Sequence, residues 1–241
     1  MNSSISLSAK CLCRIIVFFI FPFLATGCKG AYSIIDPAGP SASIAAQLWW
    51  GMFAFFLLVG VVALWVYAMR RDPGPPPTRK EARRIQNRWI IGGGIILPVA
   101  SIIIVLIFGI PAGHKMQTLS FAGQGEAVEI HVTARQWQWD VSYPGTDVLL
   151  VNEMHIPAGV PITLQLTTAD VIHSFWVPRL GGKLDTIPGR ENILRLMADQ
   201  PGTYYGQCAE YCGLEHAHMK ITVIAHDADG YTAWLEGMKN E

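Results

Sequence analysis

The chain has 241 residues, of which 51% are hydrophobic and only 15% are charged, and its formal net charge is zero. The charges are unevenly distributed: residues 70–88 hold seven basic and two acidic side chains, whereas residues 115–241 hold eight basic and fifteen acidic ones, a balance of −7. This asymmetry indicates separate environments rather than one soluble globule, and the one basic cluster does not indicate nucleic-acid binding because it lies between two apolar stretches.

The first 27 residues have the pattern of an export signal. Lys10 and Arg14 precede a short apolar run at 15–24, which has too few residues to span a bilayer. Ala25-Thr-Gly-Cys28 follows and is similar to a bacterial lipoprotein cleavage box. We therefore expect 1–27 to be a lipoprotein-type signal peptide and Cys28 to be the lipidated first residue; the alternative is an ordinary signal peptide cut elsewhere.

Two uncharged stretches, 44–69 and 89–111, are predicted as transmembrane helices because each is long enough to cross the roughly 30 Å hydrocarbon core. The basic segment 70–88 lies between them and predicts a cytoplasmic loop by the positive-inside rule. Residues 28–43 then lie outside, as the export signal also requires. The predicted location is the bacterial inner membrane, with the rest of the chain on the periplasmic side.

After these helices, residues 115–241 form short β-type runs separated by Gly and Pro, which predicts one antiparallel sandwich or barrel. A short helix is predicted at the end, over Ala228–Met238. The predicted strands are 128–133, 148–156, 161–168, 192–197 and 219–224.

The stretch 206–219 concentrates metal-binding side chains in the pattern Cys-x3-Cys-x3-His-x2-Met. Thiolate and thioether are soft ligands that favour copper, and imidazole suits copper or zinc. The donors in this stretch are Cys208, Cys212, His216 and Met219, and a further imidazole is available from His173 at the end of the run 161–172.

Four kinds of site are compatible with the two cysteines. A disulfide suits an exported domain but gives no reason for the nearby His and Met residues. A zinc site would use both cysteines and two histidines, although Met is a poor zinc ligand. A blue site with one copper leaves one thiol unused, whereas a site with two coppers bridged by both thiolates uses every donor and is the preferred interpretation.

The resemblance to a known family rests on four segments and on the two-helix arrangement before them. Together they closely resemble subunit II of haem–copper cytochrome c oxidase. The segments are His173-Ser-Phe-Trp-Val-Pro178, Asp185-Thr-Ile-Pro-Gly-Arg190, Pro201-Gly-Thr-Tyr-Tyr-Gly-Gln-Cys208 and the ligand stretch 206–219.

This resemblance implies a cupredoxin-like β-sandwich that carries a binuclear copper centre, CuA. The implied ligands are His173, Cys208, the main-chain carbonyl of Glu210, Cys212, His216 and Met219. In the family, the Glu210 carboxylate also helps to bind magnesium at the interface with subunit I.

Residues beside the implied centre also match the family. Trp137, in Gln136-Trp-Gln-Trp139, matches the tryptophan through which the electron enters, whereas Trp139 is expected to be a core residue. Asp170 matches a position implicated in docking of cytochrome c, with Asp140, Asp147 and Glu153 as weaker candidates. His218 is interpreted as a non-ligand beside the centre, and the remaining histidines, His114, His131, His155 and His226, as ordinary surface or strand residues.

The function implied is that of an electron-accepting oxidase subunit. Reduced cytochrome c would deliver electrons to CuA, which would pass them to the oxygen-reducing site of subunit I, with subunit III as a further partner. Two alternatives are a quinol oxidase subunit II, which keeps the architecture but lacks the copper ligands, and a membrane-anchored copper carrier or assembly protein that acts outside an oxidase.

Overall fold

The structure is a computed structural model that describes residues 30, 32–33, 36–69, 76–114, 116 and 127–238. The predicted signal peptide 1–27 and the predicted lipidation site Cys28 lie outside these residues. Two compact units are present: a helical unit within 43–125, and a β unit formed by residues up to 42 together with those from 126 onward.

The helical unit contains two long apolar helices. Helix α1 extends over Pro40–Met69, and the second helix is continuous from Arg79 to His114 and consists of α2 (Arg79–Arg88), a π-helical stretch (Trp89–Ile96) and α3 (Leu97–His114). Both are long enough to cross a membrane. The predicted apolar spans lie inside these helices.

Both helices begin before the predicted spans. Proline is well tolerated in the first turn of a helix, and α1 starts at Pro40 rather than at residue 44. The second helix starts ten residues before Trp89, because Thr78 and Glu81 form a reciprocal capping box at the N-terminus of α2. It also continues past residue 111 to His114.

The β unit is a sandwich of two five-stranded sheets, in agreement with the predicted cupredoxin-like class. The first sheet has the order β3–β2–β1–β5–β8 and the second the order β4–β10–β9–β6–β7. The strands are β1 (Val128–Arg135), β2 (Gln138–Ser142), β3 (Leu149–Val151), β4 (Glu153–Pro157), β5 (Ile162–Thr168), β6 (His173–Trp176), β7 (Leu184–Thr186), β8 (Asn192–Leu196), β9 (Gly202–Cys208) and β10 (Lys220–His226).

The core follows from alternation along the strands, since successive side chains point to opposite faces of a sheet. On β1, β5 and β10 every second residue is buried, and each fully buried Ile or Leu contributes about 1.5–3 kcal/mol. The inward-facing residues of these strands are Ile130, Val132, Ala134, Ile162, Leu164, Leu166, Ile221, Val223 and Ala225.

Two features of the sandwich differ from the predicted antiparallel arrangement. Each sheet contains one parallel pair, β1 with β5 and β4 with β10. The predicted strand 148–156 is also divided at Asn152, which has a positive φ of 58°. Asn152 exchanges two hydrogen bonds with Trp139, through its side chain and its main-chain N–H, and the chain passes from the first sheet to the second at this residue.

A short segment before α1, residues 36–39, lies against the β unit. The N–H of Ala38 donates to the carbonyl of Arg179 at 2.7 Å, and its carbonyl accepts from the N–H of Asp199 at 2.8 Å. The Arg179 guanidinium also pairs with the Asp36 carboxylate at 3.2 Å. The chain is therefore fixed to the sandwich immediately before the first apolar helix begins.

Candidate metal centre

Three neighbouring strands of the second sheet bring the predicted donors to one end of that sheet. Strand β6 begins at His173, β9 ends at Cys208, and β10 begins directly after Met219. Because β9 runs antiparallel to both β6 and β10, the start of β6, the end of β9 and the start of β10 lie side by side. His173 therefore begins a strand of its own and does not end the run 161–172 as the sequence had indicated.

The loop between β9 and β10 is closed by main-chain hydrogen bonds. The Cys208 N–H donates to the Met219 carbonyl at 3.0 Å, which joins the two ends of the loop. The Ala209 N–H donates to the Ser174 carbonyl at 2.9 Å and ties the same point to β6. These bonds fix the backbone of the loop ends independently of any metal.

The donor atoms of the predicted ligands converge inside this loop. Cys208 Sγ lies 3.8 Å from Cys212 Sγ, 3.9 Å from His173 Nδ1 and 3.1 Å from the carbonyl oxygen of Glu210. Cys212 Sγ in turn lies 3.5 Å from His216 Nδ1 and 3.8 Å from Met219 Sδ. All six predicted ligand groups are thus within contact distance of one of the two sulfurs.

The chemistry of this cluster suits a metal rather than a covalent cross-link. Both thiols are free and buried, and their 3.8 Å separation is far above the roughly 2.05 Å of a disulfide. Burial, followed by the neighbouring charge of Cys208, raises the pKa of the Cys212 thiol to about 12. A metal that binds here must therefore displace a proton from a thiol that is neutral at physiological pH.

Asp170 holds the imidazole of His173 from the side opposite the thiols. His173 is fully buried, and its Nε2 donates to the Asp170 carboxylate at 2.8 Å, which leaves Nδ1 facing Cys208. Burial alone would raise the pKa of Asp170, but hydrogen bonds from His173 and from the N–H groups of Gln136 and Val171 outweigh it and lower that pKa. Asp170 is thus an anionic support for a candidate ligand.

Trp137 is joined to the donor loop through the carbonyl of Cys212. The indole N–H donates to this carbonyl at 3.2 Å, and the Gln136 side-chain amide donates to it at 2.7 Å. Gly213 makes this approach possible: it has a φ of 122°, and a Cβ there would lie 3.0–3.1 Å from the nitrogens of these two side chains. Trp137, through which the electron is predicted to enter, therefore contacts the main chain of Cys212, a candidate ligand.

Other predicted residues are placed as follows. The Glu210 carboxylate pairs with Lys183 at 2.8 Å, on the outside of the loop. Trp139 is fully buried and packs edge-on against Phe175, as expected for a core residue. His218 is exposed and bound to Glu215 at 2.8 Å, away from the donors.

The acidic residues proposed for docking are not equivalent. Asp140 is nearly buried, pairs with Arg135 and accepts from the Gln138 amide at 2.7 Å, so it is a structural carboxylate. Asp170 is engaged with His173, whereas Glu153 is half-exposed and contacts His155 at 2.8 Å.

His155 and His226 lie in strands β4 and β10, in agreement with their interpretation as strand residues, but the sequence did not predict that they contact each other. His155 is buried, its Nδ1 lies 2.7 Å from His226 Nε2, and its ring stacks on Trp234 of helix α4 (Ala228–Met238) at 4.2 Å. The parallel pairing of β4 with β10 brings the two histidines together. A sequence pattern that predicts only antiparallel neighbours cannot place them side by side.

The roles of Gln136, Lys183 and Asp170 at the loop were also missed from the sequence. Gln136 was visible only as a neighbour of Trp137, and polar side chains next to a functional aromatic residue are the one signal that could have drawn attention to it. Lys183 acts through a contact with Glu210, 27 residues away in sequence. Asp170 acts through a contact with His173 that the three-residue spacing alone does not specify.

Comparisons with known proteins all return second subunits of respiratory oxidases. A sequence profile described as "Cytochrome C oxidase subunit II, periplasmic domain" matches residues 147–226. Cytochrome c oxidase subunit 2 of Alkalihalophilus pseudofirmus is 34% identical over 243 residues, which covers 92% of this chain and 67% of the relative. Quinol oxidase subunit 2 of Bacillus cereus is 30% identical over 220 residues, covering 87% of this chain and 74% of the relative.

Among solved structures, the periplasmic domain of subunit II of cytochrome oxidase from Bradyrhizobium japonicum is similar to part of this chain. It is 34% identical, covers 48% of this chain and 97% of its own, and has a TM-score of 0.46. The relatives thus carry the names of two kinds of oxidase, one for cytochrome c and one for quinol.

Proposed function

Because this chain belongs to the cytochrome c oxidase subunit II family, we propose that it accepts electrons from reduced cytochrome c at a binuclear CuA centre and passes them to the haem–copper site of subunit I. The observation that carries the proposal is the convergence of two thiols, two imidazoles and a thioether within one closed loop. A quinol oxidase subunit has no need for this set of soft donors.

The donor set favours copper over zinc. A sulfur separation of 3.8 Å is short enough for both thiolates to bind the same ion at about 2.3 Å. Met219 is fully buried with its sulfur next to Cys212, and a thioether is a soft ligand that suits copper. His173 and His216 lie on different thiols, which is compatible with one imidazole for each of two ions.

Bound copper would supply one-electron redox chemistry, and the chain supplies its geometry. The closed loop and three adjacent strands hold the donors in place, so that little rearrangement accompanies a change of charge. Asp170 keeps the Nε2 proton of His173 and leaves Nδ1 as the ligand atom. Trp137 and Gln136 hold the Cys212 carbonyl, and Trp137 gives the incoming electron an aromatic contact close to a thiolate.

Magnesium at Glu210 remains a prediction. Magnesium requires close to six oxygen ligands, and the Glu210 carboxylate is one group that already pairs with Lys183. A site there would need oxygen atoms from subunit I and water, so Glu210 alone would not retain the ion in the isolated chain.

The proposed setting is the bacterial inner membrane, with the β unit outside and with subunits I and III as neighbours. The two apolar helices support membrane attachment. The basic α2 forms the N-terminal end of the second helix, and its positive charge favours the cytoplasmic side for that end. Oxygen reduction would take place in subunit I, so the enzymatic activity belongs to the complex.

Copper loading of the full chain in detergent tests the proposal. We expect two copper ions per chain with strong sulfur-to-copper absorption in the visible range. Cys208→Ser and Cys212→Ser should each abolish the binuclear spectrum, whereas Cys28→Ser, outside the loop, should leave it unchanged. One copper per chain, or colourless binding with a preference for zinc, would contradict a CuA centre.

The same preparation separates the alternative functions. A copper carrier should release its copper to a chelating acceptor within minutes, whereas an electron-transfer centre should retain it. A quinol oxidase subunit should bind no copper at all, and its complex should be reduced by quinol without cytochrome c.

A further inference from the structure

The basic N-terminal end of the second apolar helix carries an open groove of about 790 Å3 that the proposed function does not use. Its upper part is lined by the cations Lys80, Arg83, Arg84 and Arg88, and its lower part by Ile91, Gly92 and Ile96. We propose that this basic groove binds an anionic phospholipid, with the headgroup phosphate among the arginines and an acyl chain along the apolar part.

The spacing of the cations places them on one face of α2. Residues three and four apart are neighbours on a helix, and Lys80, Arg83, Arg84 and Arg88 follow that spacing. The planar guanidinium groups can bind a phosphate through paired N–H donors, which a single Lys cannot do. Three arginines at this spacing therefore form a phosphate-binding face rather than a general excess of charge.

The π-helical stretch continues this face into the apolar part. A π-helix repeats its hydrogen bonds every five residues, as in the bond from the Leu97 N–H to the Gly92 carbonyl. Ile91 and Ile96 are five residues apart, and on this stretch both line the groove. In a regular α-helix, with about 3.6 residues per turn, Ile96 would turn away from the arginine face.

Gly92 leaves the backbone open between the charged and apolar parts. A Cβ at this position would meet no atom within 4 Å, so the space beside it is free for a hydrocarbon chain. Trp89, at the boundary between the two parts, is exposed, as is common where a helix enters the headgroup region. Cations above and aliphatic groups below match the order of groups in a phospholipid.

The charge of the groove is not neutralised within the described residues. Its four cations face one lining carboxylate, Glu81, which accepts two hydrogen bonds from Thr78. The ion pairs that arginine and lysine make elsewhere in the described chain involve Arg135, Arg179 and Lys183 of the β unit, not these four residues. A net positive groove at the membrane surface attracts anionic lipid.

Native mass spectrometry of the full chain in detergent tests the proposal. The protein is mixed with phosphatidylglycerol or with phosphatidylcholine of identical acyl chains, and retained lipid is counted. We expect retention of phosphatidylglycerol but not of phosphatidylcholine. The triple change Arg83→Gln, Arg84→Gln and Arg88→Gln should weaken binding on the order of 100-fold, since each cation near anionic lipid contributes roughly fivefold.

Matched variants test the two parts of the groove separately. Arg79→Gln removes a cation of the same helix that does not line the groove, and it should preserve binding. Gly92→Leu fills the apolar part and should weaken binding, whereas Gly94→Leu, on the same stretch but outside the groove, should not. Equal effects of the two members of either pair would overturn the proposed site.

Two further outcomes would also overturn it. If inorganic phosphate displaced phosphatidylglycerol as readily as glycerophospholipid micelles do, the groove would be an anion site without an acyl chain. If the assembled oxidase retained no lipid at this helix, and the triple arginine variant instead lost subunit I, the partner of the groove would be an acidic protein surface.

Discussion

At the scale of single residues, Asp170 has a structural contact in addition to the docking role predicted for it. Its match to a docking position remains a prediction, but its carboxylate also holds His173 Nε2 at 2.8 Å. Asp170→Ala should lower copper affinity about 10–100-fold, the usual effect of removing a carboxylate that orients a ligating histidine. Copper titration against a competing chelator measures this change.

Asp147→Asn is the control for that experiment, since it removes a carboxylate of the β unit without touching His173. If Asp170→Ala bound copper normally and only slowed reduction by cytochrome c, docking would be its main role. The two roles can thus be separated by measuring affinity and electron transfer on the same variants.

Trp137 is the second residue whose role can be isolated. Trp137→Phe removes the hydrogen bond to the Cys212 carbonyl, while the Gln136 amide still holds that carbonyl. The copper spectrum should therefore persist, and the rate of copper reduction by cytochrome c should fall severalfold in stopped-flow measurements. Trp234→Phe, in the distant α4 contact, should leave this rate unchanged; an unaltered rate for Trp137→Phe would place electron arrival elsewhere.

At the scale of elements, strand β9 depends on Gly206 to reach its neighbours. A Cβ at this position would lie 2.6 Å from the Ile221 side chain and 2.8 Å from the Trp176 carbonyl. Gly206→Ala should therefore destabilise the fold by about 1–3 kcal/mol through overpacking and displace Cys208 two residues later. Gly182→Ala, where a Cβ meets nothing within 4 Å, is the control in denaturant unfolding.

Helix α4 is held to the sheet by a contact that should depend on pH. Trp234 stacks on His155, which is bonded to His226, and burial followed by the charge of His155 lowers the pKa of His226. Glu153, Asp227, the buried Tyr143 and the half-buried Tyr231 are further titratable groups around this contact.

The packed state of α4 favours neutral His226. The stabilisation that this contact gives to α4 is therefore complete above about pH 6.5, the ordinary pKa of an exposed histidine, and it is lost as the pH falls from there toward the lowered pKa. The protection of the α4 amides, measured as the intrinsic exchange rate at each pH divided by the observed rate, should therefore fall between about pH 7.5 and about pH 5. His226→Gln should flatten this dependence, and His131→Gln, at an exposed site, should not. Protection factors that do not change with pH in the unaltered chain would contradict the role of the histidine pair.

The alternation of apolar and polar residues, together with Gly and Pro at the turns, predicted most of these elements. It could do so because every second residue of the inner strands is buried in the core. The helix Ala228–Met238 was predicted with its observed bounds. The parallel pairs were not predicted, since nothing local in 128–135 or 162–168 specifies which distant strand lies beside it. Likewise, the division at Asn152 depends on its exchange of hydrogen bonds with Trp139, thirteen residues away.

The donor residues of the candidate centre could be chosen from sequence because their spacing is local, apart from His173. The contacts around these donors could not be predicted from sequence. Asp170 and His173 are only three residues apart, but their contact depends on how the chain enters β6. Gln136 reaches Cys212 across 76 positions of sequence.

At the scale of the whole molecule, residues 115–241 hold eight basic and fifteen acidic side chains. A basic protein donor should therefore associate faster at low ionic strength, because long-range attraction is screened over about 10 Å at 0.1 M salt and about 3 Å at 1 M. The rate of copper reduction by a basic cytochrome c should fall steeply as salt increases.

A neutral hydroquinone is the control for this measurement, since its rate should hardly respond to salt. Equal rates of cytochrome c reaction at low and high salt would show that the acidic surface does not guide docking. A complex that prefers the hydroquinone at every salt concentration would instead favour the quinol oxidase alternative.

The hydrogen bond between Cys208 and Met219 also has an evolutionary consequence. It closes the loop at its base, so residues 209–218 form a segment that can change in sequence or length without shifting β9 or β10. Cys212 and His216 belong to this exchangeable segment, whereas His173, Cys208 and Met219 belong to the scaffold. Substitutions within these ten residues can therefore add or remove Cys212 and His216, and with them the proposed metal binding, while the pairing of β9 with β10 is kept.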